Sequence, residues 1–410
     1  MEFFYILLVV LLVIFTASFT LAIVRTVRVD FPNVCIPPGV DQPGKLFVVH
    51  AHMVMISAVG KMLEKMGVCT ELVFTRYMRS GKKRGPEPWL RQQDMRFAGV
   101  PVRLYRPRVP SAALRPAVVF FHGGGWIYCS IDSHDIICRY IAREGSSVVV
   151  SVGYRLAPEH KYPAAYEDCL NATIHFMRNA EHYGVDPARI SVCGDSAGGN
   201  LAAAVSQTLA GRSDLPRLRA QILIYPGLQA LDMDLPSYQQ NRGVPLLLRE
   251  RAAFFALQYL CGEASHKQDV LKGSHVPPET RQKYKKWVNP DNIPERFKAR
   301  GYNPQKTHDS TAEIFKKFER ICEPSLCPLL AEDAVIQQLP ESFILTCEYD
   351  VLRDDGLLYK KRLEDNGVRV TWCHLEDGFH AIISLFDYGR LSFPSGKRGL
   401  DRVVQFIKGL

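Results

Sequence analysis

Arg189-Ile190-Ser191-Val192-Cys193-Gly194-Asp195-Ser196-Ala197-Gly198-Gly199-Asn200 holds an apolar run that stops at a glycine, a serine two residues later, and small residues onward to Ala204. That order reads as strand, sharp turn and helix. Gly194 to Gly198 fits Gly-x-Ser-x-Gly, in which a tight turn strains the serine backbone and projects its hydroxyl from the top of a sheet. The flanking glycines leave space where a Cβ would meet the neighbouring strand or helix. An ordinary glycine turn with a solvent-facing serine matches the same five residues, so the surrounding chain decides the fold.

Upstream, Ala117 to Phe121 is a continuous apolar run of the kind buried on both faces of a sheet, and it ends in His122-Gly123-Gly124-Gly125-Trp126. Glycines at the carboxyl end of a strand let backbone N–H groups face outward unobstructed, which an oxyanion hole requires. His122 is expected to orient this loop rather than to act as a base. Further strands are expected at 100–105, 147–152, 221–225, 342–347 and 368–375, with an amphipathic helix over 166–183 and a closing helix over 400–407. Strands alternating with helices imply an α/β fold, with a mostly parallel sheet and the site at the carboxyl ends of its strands. The catalytic domain is expected to span 96–410.

The stretch 232–333 breaks this rhythm with Pro236, Pro245, Pro277, Pro278, Pro290, Pro294 and Pro304, and with helix-like pieces at 249–260 and 311–320. It reads as an inserted lid rather than a solvent-facing decoration, because Phe254, Phe255, Leu257, Tyr259 and Leu260 need an apolar surface to cover. Apolar residues at helical spacing over 47–66 are either a packed helix or a second part of that lid. The whole of 29–95 is expected to be linker, marked by Pro32, Pro37, Pro38 and Pro43, followed by N-terminal lid helices.

Phe3 to Val24 is 22 residues without a charge, and about 20 apolar residues span a hydrocarbon core. A cleaved leader has a basic start and a shorter apolar core, whereas Glu2 precedes this one. An uncleaved anchor over 1–28 is therefore expected, although Ala17, Ser18 and Ala22 would suit cleavage. Arg25 and Arg28 would draw the following flank to the cytoplasm, while the acceptor triplet at Asn171 has meaning only in the lumen. Net charge is +9, but the 51 basic residues are scattered and their densest run is Lys82-Lys83-Arg84. Nucleic-acid binding is excluded by the lack of a basic and aromatic stripe. The eleven cysteines form no Cys-x-x-Cys pair and no cluster with histidines, which argues against a structural zinc site.

A serine hydroxyl needs an imidazole base, and the imidazole needs a carboxylate to fix its tautomer. In chain order the candidates are Ser196, Asp350 and His380, the order of the α/β-hydrolase type. Asp350 and His380 each lie just past a strand end, and Gly378 supplies the turn before the histidine. Asp354 and Asp355 are rival carboxylates, expected a turn further on at the start of a helix, where acidic residues are favoured anyway. Asp195 and Glu159 are expected to brace their own loops.

The segments His122 to Trp126, Tyr154 to Pro158, Gly194 to Asn200, Tyr349 to Gly356 and Asp377 to His380 resemble the hormone-sensitive lipase branch of the α/β-hydrolases. With the N-terminal anchor and the string Glu348 to Gly356, the longer match is similar to the arylacetamide deacetylase family. The resemblance implies an α/β-hydrolase fold in a single-pass protein of the endoplasmic reticulum membrane, with its catalytic domain in the lumen. It implies hydrolysis of carboxylic esters or aryl amides, lipid-like ones included, without a cofactor or a metal. It assigns Ser196 as nucleophile, His380 as base, Asp350 as its orienter, and the N–H groups of Gly123, Gly124, Gly125 and Ala197 to the oxyanion hole. A catalytically weak ligand-binding protein on this fold is the alternative. In that family a cysteine directly after the glycine-motif tryptophan pairs with one three residues before the catalytic aspartate. Here the first place is Ile127 and the second is Cys347, so the resemblance implies a bridge to Cys347 from Cys129, two residues on.

Overall fold

The computed structural model describes residues 2–30, 34–81, 83–111, 113–304 and 312–410. Pro32, Lys82 and Thr311, named above in the linker, the basic run and a lid helix, lie outside the described residues. Eight strands form one sheet: β1 (Leu90–Phe97), β2 (Val100–Pro107), β3 (Arg115–Phe121), β4 (Val148–Val152), β5 (Val185–Asp195), β6 (Ala220–Ile224), β7 (Glu341–Tyr349) and β8 (Val370–Phe379). Their order is β1-β2-β4-β3-β5-β6-β7-β8. Only the β1–β2 and β2–β4 pairs are antiparallel.

Successive side chains of a strand point to opposite faces, and the central strands show it. Val119 and Phe121 of β3 enter one core layer and Val118 and Phe120 the other, while Val192 and Cys193 divide in the same way on β5. Both faces are thus dry, as the unbroken apolar runs imply. The register aligns Phe121 with Gly194, Asp195 with Ile224, and Ile224 with Leu345. The residues that follow these positions therefore leave the sheet along one edge.

Fourteen α-helices are present among the described residues: α1 (Glu2–Asp30), which meets α2 rather than the sheet, α2 (Pro43–Lys65), α3 (Glu71–Arg79), α4 (Asp135–Glu144), α5 (Ala164–Arg178), α6 (Ala197–Ala210), α7 (Pro236–Gln240), α8 (Arg249–Cys261), α9 (Lys267–Lys272), α10 (Pro278–Tyr284), α11 (Ala312–Phe318), α12 (Asp333–Ile336), α13 (Arg353–Asp365) and α14 (Pro394–Lys408). The helix expected over 166–183 ends at Arg178 and is followed by a 3₁₀ turn at Ala180–Tyr183. The sheet also starts earlier than residue 96. Strand β1, Leu-Arg-Gln-Gln-Asp-Met-Arg-Phe, buries fully only its two ends, as an edge strand does, so it has no apolar run to announce it.

The segment between β6 and β7 folds over the carboxyl edge of the sheet through α7 to α11. Leu257 and Tyr259 of α8 are buried there, and full burial of such side chains stabilises by about 1.5–3 kcal/mol each. From the N-terminal side, α3 is tied down by Arg76, whose Nε donates to Ile127 O at 2.7 Å and whose guanidinium pairs with Glu159 at 2.6 Å.

Candidate active site

Strand β5 runs into α6 through Ser196, which has φ 56° and ψ −120°. A non-glycine residue is held there only when its surroundings leave no alternative. A Cβ on Gly194 would strike Gly198 O, and one on Gly198 would strike Phe121 O. The Ser196 N–H donates to Ile224 O at 2.9 Å, which fixes the turn against β6.

Ser196 Oγ lies 2.8 Å from His380 Nε2, and His380 Nδ1 lies 2.7 Å from Asp350 Oδ2. All three side chains are buried. The Nδ1–H donates to the carboxylate, leaving Nε2 as the acceptor that faces the serine. Asp350 is itself oriented: its Oδ1 accepts the Leu352 N–H at 2.9 Å, and Asn241 Nδ2 donates to the carbonyls of Asp350 and Glu348. Asn241, inside the inserted segment, carried no signal in the sequence. The rival carboxylates are engaged elsewhere. Asp354 accepts the Ser237 N–H, and Asp355 accepts the N–H groups of Leu228 and Gln229 together with Gln229 Nε2. Both lie in the first turn of α13 and hold the entry to the inserted segment.

In the glycine loop, the Gly123 N–H donates to Asp195 Oδ1 at 2.8 Å. This corrects the inclusion of Gly123 among the oxyanion donors, since its hydrogen is already used. Asp195 also meets His134 at 3.2 Å, a partner that sequence reading missed. Burial alone would raise the Asp195 carboxyl, but His134, the Gly123 N–H and His122 together hold it below its usual range. His122 stacks on Tyr154 at 4.3 Å and places Nδ1 2.8 Å from Gly123 O. Burial pushes His122 down to about 4, so it is neutral near pH 7 and braces the loop. Gly124 and Gly125 have φ 116° and 64°. Among the described hydrogen bonds, neither their N–H groups nor that of Ala197, at the start of α6, meets a protein acceptor.

A narrow cavity with about 60 Å³ of free space opens over Ser196 and Ala197. Its walls come from the glycine loop (Gly125, Trp126) and from the inserted segment, notably Phe255, Leu257 and Phe318. Trp126 stacks face to face on Tyr259 at 4.7 Å, and the Phe255 ring sits where a Cβ on Gly125 would be. One water needs about 10–15 Å³ by this measure, so a long acyl chain enters only if these side chains move.

The expected Cys129–Cys347 bridge is absent, and all eleven cysteines are free thiols. Cys129 packs against one core layer and Cys347 belongs to the other, and β5 and β6 stand between β3 and β7. A disulfide needs Cα atoms within roughly 7 Å, which opposite sides of a sheet do not offer. Asn171 is exposed in the middle of α5, while Thr173 of the same triplet is buried and donates to Cys169 O at 2.7 Å.

Comparison with known proteins agrees with this architecture. A family model described as alpha/beta hydrolase fold matches residues 118–281 and 288–384. The chain is similar to human arylacetamide deacetylase-like 4, at 45% identity over 92% of each chain. It is also similar to arylacetamide deacetylase of Oryctolagus cuniculus, at 37% identity over 92% of this chain and 94% of that protein. Among solved structures, a hyperthermophilic esterase from Pyrobaculum calidifontis superimposes with a TM-score of 0.60 and 28% identity, covering 86% of this chain and 91% of that one. On the strength of these matches, the chain belongs to the arylacetamide deacetylase family of α/β-hydrolases.

Proposed function

We propose that this protein is a membrane-anchored serine hydrolase that cleaves carboxylic esters through an acyl-Ser196 intermediate. The observation that carries the reading is the hydrogen-bonded relay from Ser196 Oγ through His380 to Asp350, buried beneath an apolar cavity. Ser196 Oγ attacks the ester carbonyl while His380 Nε2 takes its proton, and Asp350 stabilises the resulting imidazolium. The N–H groups of Gly124, Gly125 and Ala197 receive the developing oxyanion. His380 then protonates the leaving alcohol, and water repeats the sequence on the acyl-serine to release the acid.

The test is hydrolysis of p-nitrophenyl esters of graded chain length by the full chain, beside Ser196→Ala. Activity and fluorophosphonate labelling that both vanish in the variant support the reading; equal turnover by the two proteins overturns it. Given the small cavity, the expected optimum lies at short acyl chains. A second reading, aryl-amide deacetylation by the same residues, is favoured by the name of the rabbit relative. Matched ester and anilide substrates separate the two. Helix α1 anchors the protein in the endoplasmic reticulum membrane with its catalytic body in the lumen, where Asn171 is accessible to glycosylation before α5 folds.

A further inference from the structure

A guanidinium is always protonated, and a buried charge without a partner is costly. This chain respects that rule where arginines are withdrawn from solvent. Arg103 holds Asp94 and Asp132, Arg139 holds Asp135, Arg353 holds Glu348 and Asp354, and Arg362 holds Asp333. Two half-buried arginines behind the cavity wall at Phe255 depart from it. Arg79, the last residue of α3, lies over the Tyr128 ring at 5.0 Å, and Arg251, in the first turn of α8, lies over the Phe255 ring at 5.7 Å. The two rings meet edge-on at 5.9 Å, so the guanidiniums flank one aromatic pair. Among the described residues, neither side chain has a carboxylate or carbonyl partner.

The side chains that act most strongly on the Arg79 charge are Cys129, Arg251, Tyr128 and Tyr388. Burial, with the Arg251 charge added, pushes its guanidinium below the ordinary value. The helix dipole accounts for a cation at the end of α3 but opposes one at the start of α8, where the contact of Arg251 within its own helix is the Phe255 ring one turn on. Phe255 joins this pair to the chemistry, since it also packs on Gly125 and lines the cavity with Ser196.

The geometry points to an anion subsite: Arg79 and Arg251 together receive a carboxylate or phosphate carried by the substrate, on the part of the ester that runs past Phe255 from Ser196. This rests on the hydrolase reading and adds a substrate class to it, namely esters with a negative group remote from the scissile bond.

The test uses the full chain in zwitterionic nanodiscs, with mono-p-nitrophenyl glutarate and the neutral p-nitrophenyl pentanoate as matched probes. The ratio of kcat/KM for the acid over the neutral ester is expected to exceed one in the wild type. It should fall about 10- to 100-fold in Arg79→Gln and in Arg251→Gln, mainly through KM, and be partly kept by the lysine variants. Arg251→Glu should turn the preference toward an ester bearing a trimethylammonium group. The same ratio in wild type and in the double glutamine variant overturns the subsite. Binding of monomethyl glutarate, followed by thermal shift, decides the matter without turnover: stabilisation of the wild type alone supports the subsite, and equal shifts overturn it. Absence of Ser196-dependent turnover of both esters would count against the hydrolase reading, and the thermal shift would still judge the subsite.

Discussion

At the scale of single residues, Asp350 and its neighbours show how position separates chemically identical groups. Three aspartates lie within six residues, yet only Asp350 reaches His380, while Asp354 and Asp355 serve the backbone of the inserted segment. Asp350→Asn keeps the shape but presents an amide hydrogen to the ring, so His380 loses the tautomer that accepts from Ser196. The expected outcome is a fall in kcat of about four orders of magnitude with a Tm close to wild type. Asp354→Asn should reverse that pattern, with a lower Tm and a modest change in kcat. A steady-state comparison of the two variants checks the assignment, and a larger kcat loss in Asp354→Asn would sink it. The hydrogen-bonded grouping of Ser196, His380 and Asp350 was legible because each member follows a strand end or a glycine turn. Gly123 was misjudged, since the sequence shows a glycine but not that Asp195, 72 residues away, claims its hydrogen.

At the scale of elements, the parallel strands were readable because each is an apolar run buried on two faces, and β1 was not because one of its sides faces water. The bridge between Cys129 and Cys347 failed for a related reason: spacing from a motif does not say which face of a sheet a side chain enters. Helix α1 stands apart from the sheet. Its 29 residues extend about 43 Å at 1.5 Å per residue, more than the roughly 30 Å of a hydrocarbon core. Its described side chains from Phe3 to Phe15 are exposed, as are Phe47 and Met55 of α2 and Tyr77 of α3. Protease added to sealed microsomes is expected to leave the catalytic body intact, with digestion only after detergent. Digestion of the body in sealed vesicles would place it in the cytoplasm instead.

For the whole molecule, three buried groups set an acid limit on stability. Burial holds His122 and His275 down to about 4, and it pushes Asp355 up to about 7. Between pH 6.5 and 4 the unfolded chain gains two histidine protons that the folded one refuses, while the folded chain already holds the Asp355 proton that the unfolded one lacks. The balance of these groups is one extra proton on unfolding, so stability falls by about 1.4 kcal/mol per pH unit as pH drops through this window. Thermal melts across it are expected to show Tm falling with acidification. The fall should be shallower in His275→Gln and steeper in Asp355→Asn; equal slopes in all three proteins would refute the balance. Ser196 and His380 are 184 residues apart in sequence, and His380 follows the last strand of the sheet. A chain interrupted anywhere before His380 therefore carries Ser196 without its hydrogen-bonded imidazole. On the proposed mechanism, hydrolysis begins only once β8 is seated and His380 meets Ser196, so activity of the nascent chain would report that the final strand has been added.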